Sequence, residues 1–506
     1  MSGSAVTTAF LAVIGAASLL AAAARRFRTT DALPSLDGWA LADRKLGPGW
    51  TWLLLGGTVF TAYTFTAVPG LAYGNGALAF FAVPYTVIVC PLAFVLLPRL
   101  WSAARAHGCV TVADLVRARY GSAPLELAVA LTGILATMPY LALQLLGIRA
   151  VLDAAGPAPA TADPVMVALF AGLAVATYRH GLRAPAVISG FKGVAVLGSV
   201  AALVWLVLDR FGGPGGVFGA AAGELAARDS GPSLLLTDGQ QPAFATLALG
   251  SALALLMYPH VLTVGFAASG PRALRKATVA LPVWTAVLAL FGLLGIAAVA
   301  AGVRTPPGGA ESAVPLLVTE LMPAPLAGLV LGAITVGALV PAAVMSVAAA
   351  ALFVRNVYVP FLQPTATPKR QVRVARAVSL TAKAGAVAFV FGLRDQAAVH
   401  LQLLGGVWIL QILPAVALGL YVRGLRPGAL LAGWAAGMAF GTAAVVREGF
   451  SSVVPLGPGG SSLQVYAGLA ALLLNLAVAG AGTVLSRRRR GPGHPAAART
   501  GERGTP

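Results

Sequence analysis

Two short segments place polar and aromatic groups inside stretches that are otherwise apolar. Residues 56–66 read GGTVFTAYTFT and are followed by Pro69 and Gly70. The second segment contains Tyr258, Pro259 and His260. Because proline lacks an N–H and leaves a carbonyl unpaired, an interrupted helix exposes backbone groups beside these side chains. Paired interruptions of this kind are typical of binding sites for a substrate or a coupling ion near the middle of a membrane.

Ionisable residues inside the apolar stretches are scarce, and such residues are usually functional. None of the 16 carboxylates falls near the middle of a stretch, which argues against a proton relay of Asp or Glu. A bound cation would therefore be held by carbonyls, hydroxyl groups or the substrate. The cationic candidates are Arg149, Lys192, His260 and Lys383. The alternative for the lysines and Arg149 is extension to the membrane surface, and for His260 a structural role.

The elements that would position these groups are membrane-spanning helices. Hydrophobic residues make up 58% of the 506-residue chain, charged residues 10%, and mean hydropathy is +0.85. About 20 apolar residues cross the hydrocarbon as a helix that satisfies its own backbone. The predicted fold is all-α and polytopic, with about thirteen spans. They lie near residues 4–24, 49–73, 77–98, 122–152, 164–179, 185–208, 243–268, 277–302, 325–354, 374–393, 396–421, 426–445 and 463–485.

The two interrupted spans are the second and the seventh, so five spans separate their starts. The simplest arrangement is a single transmembrane domain, residues 1–485, built on two inverted repeats of five spans, about 49–208 and 243–421. Spans 4–24, 426–445 and 463–485 would flank this five-plus-five core. Nothing in the outer loop at 209–241 suggests a separate domain.

The net charge of +19 reports membrane orientation rather than nucleic-acid binding, because the basic residues collect in alternate breaks between spans. Their distribution predicts an outer N-terminus and a cytoplasmic C-terminus. Residues 486–506 are predicted to form a disordered basic tail able to contact anionic lipid. Cys90 and Cys109 lack metal-ligand spacing, so neither a disulfide nor a structural metal is predicted.

Several motifs in a fixed order resemble the solute:sodium symporter family over spans two to eleven. They are residues 36–48 (LDGWALADRKLGP), Pro69-Gly70 with Tyr73, residues 111–121 (TVADLVRARYG) and residues 341–346 (PAAVMS). Segments at 60–65, 258–260, 352–358 and 402–411 look most like the bacterial monocarboxylate permease branch. The resemblance implies a LeuT-like five-plus-five fold, alternating access and a bacterial-type plasma membrane. It also implies import of small monocarboxylates such as lactate, pyruvate, propionate or acetate.

Carried over residue by residue, the resemblance implies a sodium site built from two spans. The matching positions are Gly57, Phe60, Ala343, Ser346 and Val347. Val347 lacks the hydroxyl expected there, and Val59 stands where well-known members carry an aspartate. Sodium as coupling ion is therefore one alternative and the proton is the other, since a weak acid can carry its own proton. No other cofactor is predicted.

For a small carboxylate entering hydrocarbon, the groups facing the two breaks would supply hydrogen-bond donors or a positive helix end. The predicted substrate-binding residues are Thr61, Tyr63, Thr64, Tyr140, Gln144, Tyr258 and His260, with Gln402, Trp408 and Gln411 as second choices. For the second choices, the alternative is a role in joining helices. For Tyr63 and Tyr258, the alternative is core packing.

Other functions stay open at this point. The cargo could instead be an amino acid, sugar or vitamin. A membrane enzyme is disfavoured because HExxH, GxSxG, a phosphate-binding loop and a carboxylate pair are all absent from the sequence. A sensor is disfavoured because the chain ends about twenty residues after its last span. Paired breaks fit alternating access better than a channel.

Overall fold

The computed structural model of this chain describes residues 2–23, 35–156, 159–227, 233–392, 398–457 and 463–488. Most of the predicted tail at 486–506 lies outside these residues. Its first three residues belong to the last helix rather than to a disordered segment. The boundaries proposed for the two repeats stay a prediction.

Helices form nearly all of the described structure, which confirms the predicted fold class. In the first half of the chain they are α1 (Ser2–Ala23), α2 (Leu36–Ala40), α3 (Pro48–Val59), α4 (Val68–Asn75), α5 (Ala82–Ala106), α6 (Val112–Tyr120), α7 (Ala123–Ala155), α8 (Pro159–His180), α9 (Arg183–Phe211) and α10 (Pro214–Ala226). In the second half they are α11 (Gln241–Met257), α12 (Pro259–Ala267), α13 (Pro271–Val279), α14 (Pro282–Ala300), α15 (Ala313–Leu321), α16 (Ala324–Phe353), α17 (Pro368–Gly392), α18 (Ala398–Ile409), α19 (Gly419–Tyr421), α20 (Pro427–Arg447) and α21 (Ala467–Arg488).

Within the described residues, twelve helical segments are long and apolar enough to cross a membrane. One of them, Tyr63–Ala106, has 44 residues, which as one straight helix would be about 66 Å long, twice the hydrocarbon thickness. It bends at Gly76, whose φ of 61° suits glycine. The segment therefore completes the second crossing, which α3 begins, and also contains the third. Counting the second and third crossings separately turns the twelve segments into thirteen crossings, which agrees with the predicted number of about thirteen.

Both predicted helix breaks are confirmed by the backbone. Helix α3 ends at Val59, and Phe60 is extended with φ −94° and ψ 101°. A π-helical segment, Tyr63–Ala67, then leads into α4. Helix α11 ends at Met257, and Tyr258, with φ −62° and ψ 133°, precedes Pro259 at the start of α12. Each break leaves carbonyls at the end of one half-helix and N–H groups at the start of the next.

Helix α16 lies at the centre of the bundle. Its side chains are buried almost continuously from Ala327 to Leu352, and it packs against α1, α7, α9 and α17. The sequence of α16 is rich in alanine, glycine and valine, and small residues let neighbouring helix backbones approach closely. This packing brings the backbone of α16 close to the first break.

Three local predictions were wrong or incomplete. The predicted span at 277–302 overlaps the candidate crossing Pro271–Ala300, which contains two helices, α13 and α14, rather than one. The outer loop at 209–241 contains α10. The last predicted span starts with a strand rather than a helix, because β2 (Leu463–Tyr466) pairs antiparallel with β1 (Val453–Leu456).

Candidate functional site

Three aromatic rings from α7 and the second break form a compact cluster in the protein interior. The ring centroids of Tyr140 and Tyr258 lie 5.1 Å apart, those of Tyr140 and His260 5.4 Å, and those of Tyr258 and His260 5.3 Å. All three side chains are completely buried. The hydroxyl of Tyr258 donates to the carbonyl oxygen of Gln402 at 3.0 Å. The break in the seventh crossing is thereby joined to both α7 and α18.

Several buried polar atoms of this region have no hydrogen-bond partner within the described residues. They are the hydroxyl oxygens of Tyr63, Thr64 and Tyr140, both ring nitrogens of His260, and Oε1 of Gln402. A buried polar atom without a partner costs about 1–3 kcal/mol. All six atoms belong to residues predicted to bind substrate. Atoms of this kind are suited to a polar ligand that completes their hydrogen bonds.

Gln144 and Thr61 use their polar atoms to hold the first break. Oε1 of Gln144 accepts from the backbone N–H of Ala62 at 3.1 Å, and its Nε2 donates to the carbonyl of Tyr140 at 3.0 Å. The hydroxyl of Thr61 accepts from the N–H of Tyr63 at 3.1 Å. These contacts satisfy N–H groups at the start of the second half-helix, so both residues position the break.

Trp408 and Gln411 lie on the same chain segment as Gln402, but their polar atoms form hydrogen bonds with the peripheral helices α20 and α21. Nε1 of Trp408 donates to the hydroxyl of Thr442 on α20 at 3.0 Å. Gln411 accepts from Nδ2 of Asn475 on α21 at both its carbonyl and its side-chain oxygen, at 2.9 and 3.1 Å. These contacts fit the alternative stated for both residues, in which they join neighbouring helices. The structure does not bring the two side chains together with the aromatic cluster.

The residues predicted to hold sodium are contacted by two buried lysines. The carbonyl oxygens of Gly57 and Phe60 each accept a hydrogen bond from Nζ of Lys192 at 2.7 Å. The hydroxyl of Ser346 donates to the carbonyl of Ala343 at 2.9 Å and accepts from Nζ of Lys383 at 2.6 Å. Val347 is completely buried and has no side-chain oxygen. The sodium site stays a prediction.

The model of the sodium:solute symporter family matches residues 39–436. This chain belongs to the sodium:solute symporter family. The family resemblance drawn from the motifs is thus confirmed, and the match covers both breaks and the aromatic cluster.

Individual relatives agree with the family model. The chain is 44% identical to the monocarboxylate transport permease protein of Rhizobium johnstonii over 456 residues, which are 90% of this chain and 92% of that protein. It is 31% identical to the uncharacterized symporter YodF of Bacillus subtilis, over 80% of this chain and 81% of the relative. A Na⁺-coupled sialic acid symporter in a substrate-bound outward-open state superposes with a TM-score of 0.75 at 14% identity, over 95% of this chain and 98% of that one. This last likeness shows the fold alone.

At the predicted inner face of the symporter, a polar network joins α6, α7 and the end of the ninth crossing. Nδ2 of Asn356 donates to both Asp114 and Glu126 at 2.8 Å. Nε of Arg355 donates to Asp114 at 3.2 Å, and the hydroxyl of Thr111 bonds Oδ1 of Asn356 at 2.8 Å. The motifs at 111–121 and 352–358 contain all of these residues except Glu126, but the sequence analysis predicted no role for them. The network holds these ends of the helices together.

The loop residue Cys109 lies next to this network. Its burial, and secondarily the charge of Asp114, raise the pKa of the Cys109 thiol to about 11. Because thiolates rather than thiols are nucleophilic, this cysteine is protonated and unreactive at neutral pH. Its carbonyl accepts a hydrogen bond from Arg44 at 2.7 Å.

Substitution of Gly147 tests the close approach of α7 to the first break. A Cβ at this position would overlap the Cβ of Ala62 and lie 3.1 Å from the hydroxyl of Thr66. We expect Gly147→Ala to lower the melting temperature of the purified protein, since overpacking costs about 1–3 kcal/mol. The control is Gly172→Ala, where a Cβ would meet nothing within 4 Å. Equal melting temperatures for the two variants would contradict the close approach.

Proposed function

We propose that this symporter imports small monocarboxylates by alternating access, using a cation gradient of Na⁺ or H⁺. The main support is the group of buried, unpartnered polar atoms between the two helix breaks. The hydroxyls of Tyr63, Thr64 and Tyr140 are hydrogen-bond donors, and neutral His260 supplies one further donor. Hydrogen bonds from such donors to a carboxylate are among the strong ones in proteins. The name of the Rhizobium relative supports the same cargo class.

The chemistry of the site favours a monocarboxylate over an amino acid. An amino acid would bring an ammonium group into a buried site, and a buried charge needs a partner. Within the described residues, the aromatic cluster and the groups around both breaks include no Asp or Glu side chain. Oε1 of Gln402, which is buried and unpartnered, offers an acceptor for the hydroxyl of a hydroxy acid such as lactate.

The topology is part of the proposal. We place the N-terminus outside and the network of Asp114 and Asn356 at the cytoplasmic face, as the loop charges predict. In the described structure the aromatic cluster is completely buried. Cargo would reach it when either the outer or the inner half of the bundle opens, and the whole process would transport the acid without chemical change.

Uptake by the purified protein tests this function. In proteoliposomes with a cation gradient, radiolabelled lactate, pyruvate, propionate or acetate is expected to enter faster than into protein-free vesicles. Unlabelled short monocarboxylates should compete, whereas amino acids and sugars should not. Competition by an amino acid or sugar, without competition by any monocarboxylate, would contradict the proposed cargo and leave the fold unaffected.

A further inference from the structure

Lys192 is a buried cation at the first break. It lies on α9, nine residues after the first residue of that 29-residue helix, or about 14 Å along its axis. Its side chain is completely buried. A lysine at this depth is costly unless its charge is compensated. The contacts of Lys192 must therefore compensate the free-energy cost of burying its charge.

The ammonium of Lys192 binds three carbonyl oxygens. Nζ lies 2.7 Å from the oxygen of Gly57, 2.7 Å from that of Phe60 and 2.9 Å from that of Gly337 on α16. An ammonium has three N–H donors, so each donor has one acceptor. Two of the carbonyls belong to the end of the half-helix α3, where the helix dipole is negative. The ring of Phe65 adds a cation–π contact, with its centroid 5.4 Å from Nζ.

The groups facing Lys192 leave its charge without a carboxylate partner. Helices α1, α3, α14 and α16, which pack on α9, contain no Asp, Glu, Lys, Arg or His. The acidic groups of α8, α10 and α15 pair with arginines: Asp163 with Arg149, Glu224 with Arg304, and Glu320 with Arg210. On α9 itself, Arg183 pairs with Asp43. Among the described residues, Nζ of Lys192 therefore has the three carbonyls and Phe65 as its partners.

The predicted sodium site does not fit a metal ion in this arrangement. The oxygens of Gly57 and Phe60 already bind Lys192, and the hydroxyl of Ser346 binds Lys383. The fifth position, Val347, offers no side-chain oxygen. A sodium ion at these carbonyls would have to displace an ammonium of the same charge that is covalently attached to the protein.

We propose that the ammonium of Lys192 takes the place of sodium at the first break, so that uptake of the organic acid by this transporter does not require Na⁺. This proposal rests on the proposed function, since it takes an organic acid as cargo. The ammonium binds the three carbonyls and holds α3, α9 and α16 together.

The first test compares ion gradients with the wild-type protein. Initial uptake of labelled lactate is measured in proteoliposomes under a pH gradient with choline as the only added cation, then under a sodium gradient at equal pH. We expect pH-driven uptake above that of protein-free vesicles, with accumulation of up to about tenfold per pH unit for one proton. Uptake that requires sodium would overturn the proposal. Absence of uptake under every gradient, for every acid, would instead overturn the proposed function.

The second test asks whether the charge of Lys192 is needed at the first break. Lys192→Met keeps the length of the side chain and removes the charge. We expect this variant to lose the uptake of labelled lactate that the wild-type protein shows without sodium, because the carbonyls of Gly57, Phe60 and Gly337 lose their cation. The matched control is Ser189→Ala on the same helix, whose hydroxyl bonds the carbonyl of Pro185 and which should keep this uptake. Unchanged sodium-free uptake in Lys192→Met would overturn the proposal.

The third test does not depend on transport. A ligand that binds only the folded state raises its melting temperature with concentration. We expect NaCl and KCl at equal ionic strength to give the wild-type protein the same melting temperature. A rise specific to NaCl would show a sodium site in the presence of Lys192 and overturn the proposal. If Lys192→Met does not fold, this test and the gradient comparison decide without it.

Discussion

Replacing Asp114 with alanine is expected to destabilise the symporter by about 3 kcal/mol or more, as is typical when one partner of a buried ionic network is removed. The Asp114 side chain is 9% exposed. It accepts hydrogen bonds from Asn356 and Arg355 and from the backbone N–H groups of Val110 and Thr111, at 2.8 to 3.2 Å. Alanine would leave these donors without their acceptor.

Thermal unfolding of the purified protein in detergent measures this effect. Asp114→Asn keeps one side-chain oxygen as an acceptor and should fall between wild type and Asp114→Ala. Glu320→Ala is the matched control, because Glu320 is 42% exposed and its closest contact with Arg210 is 3.8 Å. Such exposed pairs contribute about 0–1 kcal/mol. A melting temperature for Asp114→Ala equal to that of Glu320→Ala would show that the network contributes no stability.

Local sequence signals were sufficient to predict the two helix breaks. Proline at position 259 removes a backbone donor wherever the helix packs, and glycines at 56 and 57 weaken the helix just before its end at Val59. The span count followed from apolar length, which the bilayer fixes. By contrast, the helix α10 was missed because its sequence contains a proline and four glycines, and it was assigned to the outer loop. The strand β2 was missed because its sequence is largely apolar like the span that follows, to which it was assigned.

The positions of the polar side chains could not be predicted from the sequence, because they depend on contacts between residues far apart in the chain. Lys192 and Gly57 are 135 residues apart, and only the packing of α9 against α3 brings them together. From sequence alone, the side chain of Lys192 could equally extend to the membrane surface. Gln402 and Gln411 lie nine residues apart on one segment, yet only Gln402 contacts the aromatic cluster. The face that each polar residue takes depends on neighbouring helices, which the local sequence does not specify.

Removing the ring nitrogens of His260 is expected to raise the lactate concentration for half-maximal uptake about 10- to 100-fold. The basis is that a hydrogen bond to a charged group is worth about 1.5–3 kcal/mol. Neither ring nitrogen has a partner within the described residues, and the ring packs on Tyr140 and Tyr258. His260→Phe keeps an aromatic ring in this position. The matched control is Trp408→Phe, whose lost N–H bonds Thr442 and should leave the half-saturating concentration unchanged.

Tyr140→Phe separates ligand binding from packing, because the two roles predict different uptake kinetics. The substitution keeps the ring contacts with Tyr258 and His260 and removes a buried hydroxyl that has no partner in the described structure. If that hydroxyl binds the carboxylate, the half-saturating concentration rises about tenfold or more. If the ring only packs, loss of an unsatisfied buried hydroxyl raises the melting temperature and leaves uptake kinetics unchanged. We expect both a higher melting temperature without substrate and weaker uptake. The reason is that unpartnered polar atoms of a binding site destabilise the substrate-free protein.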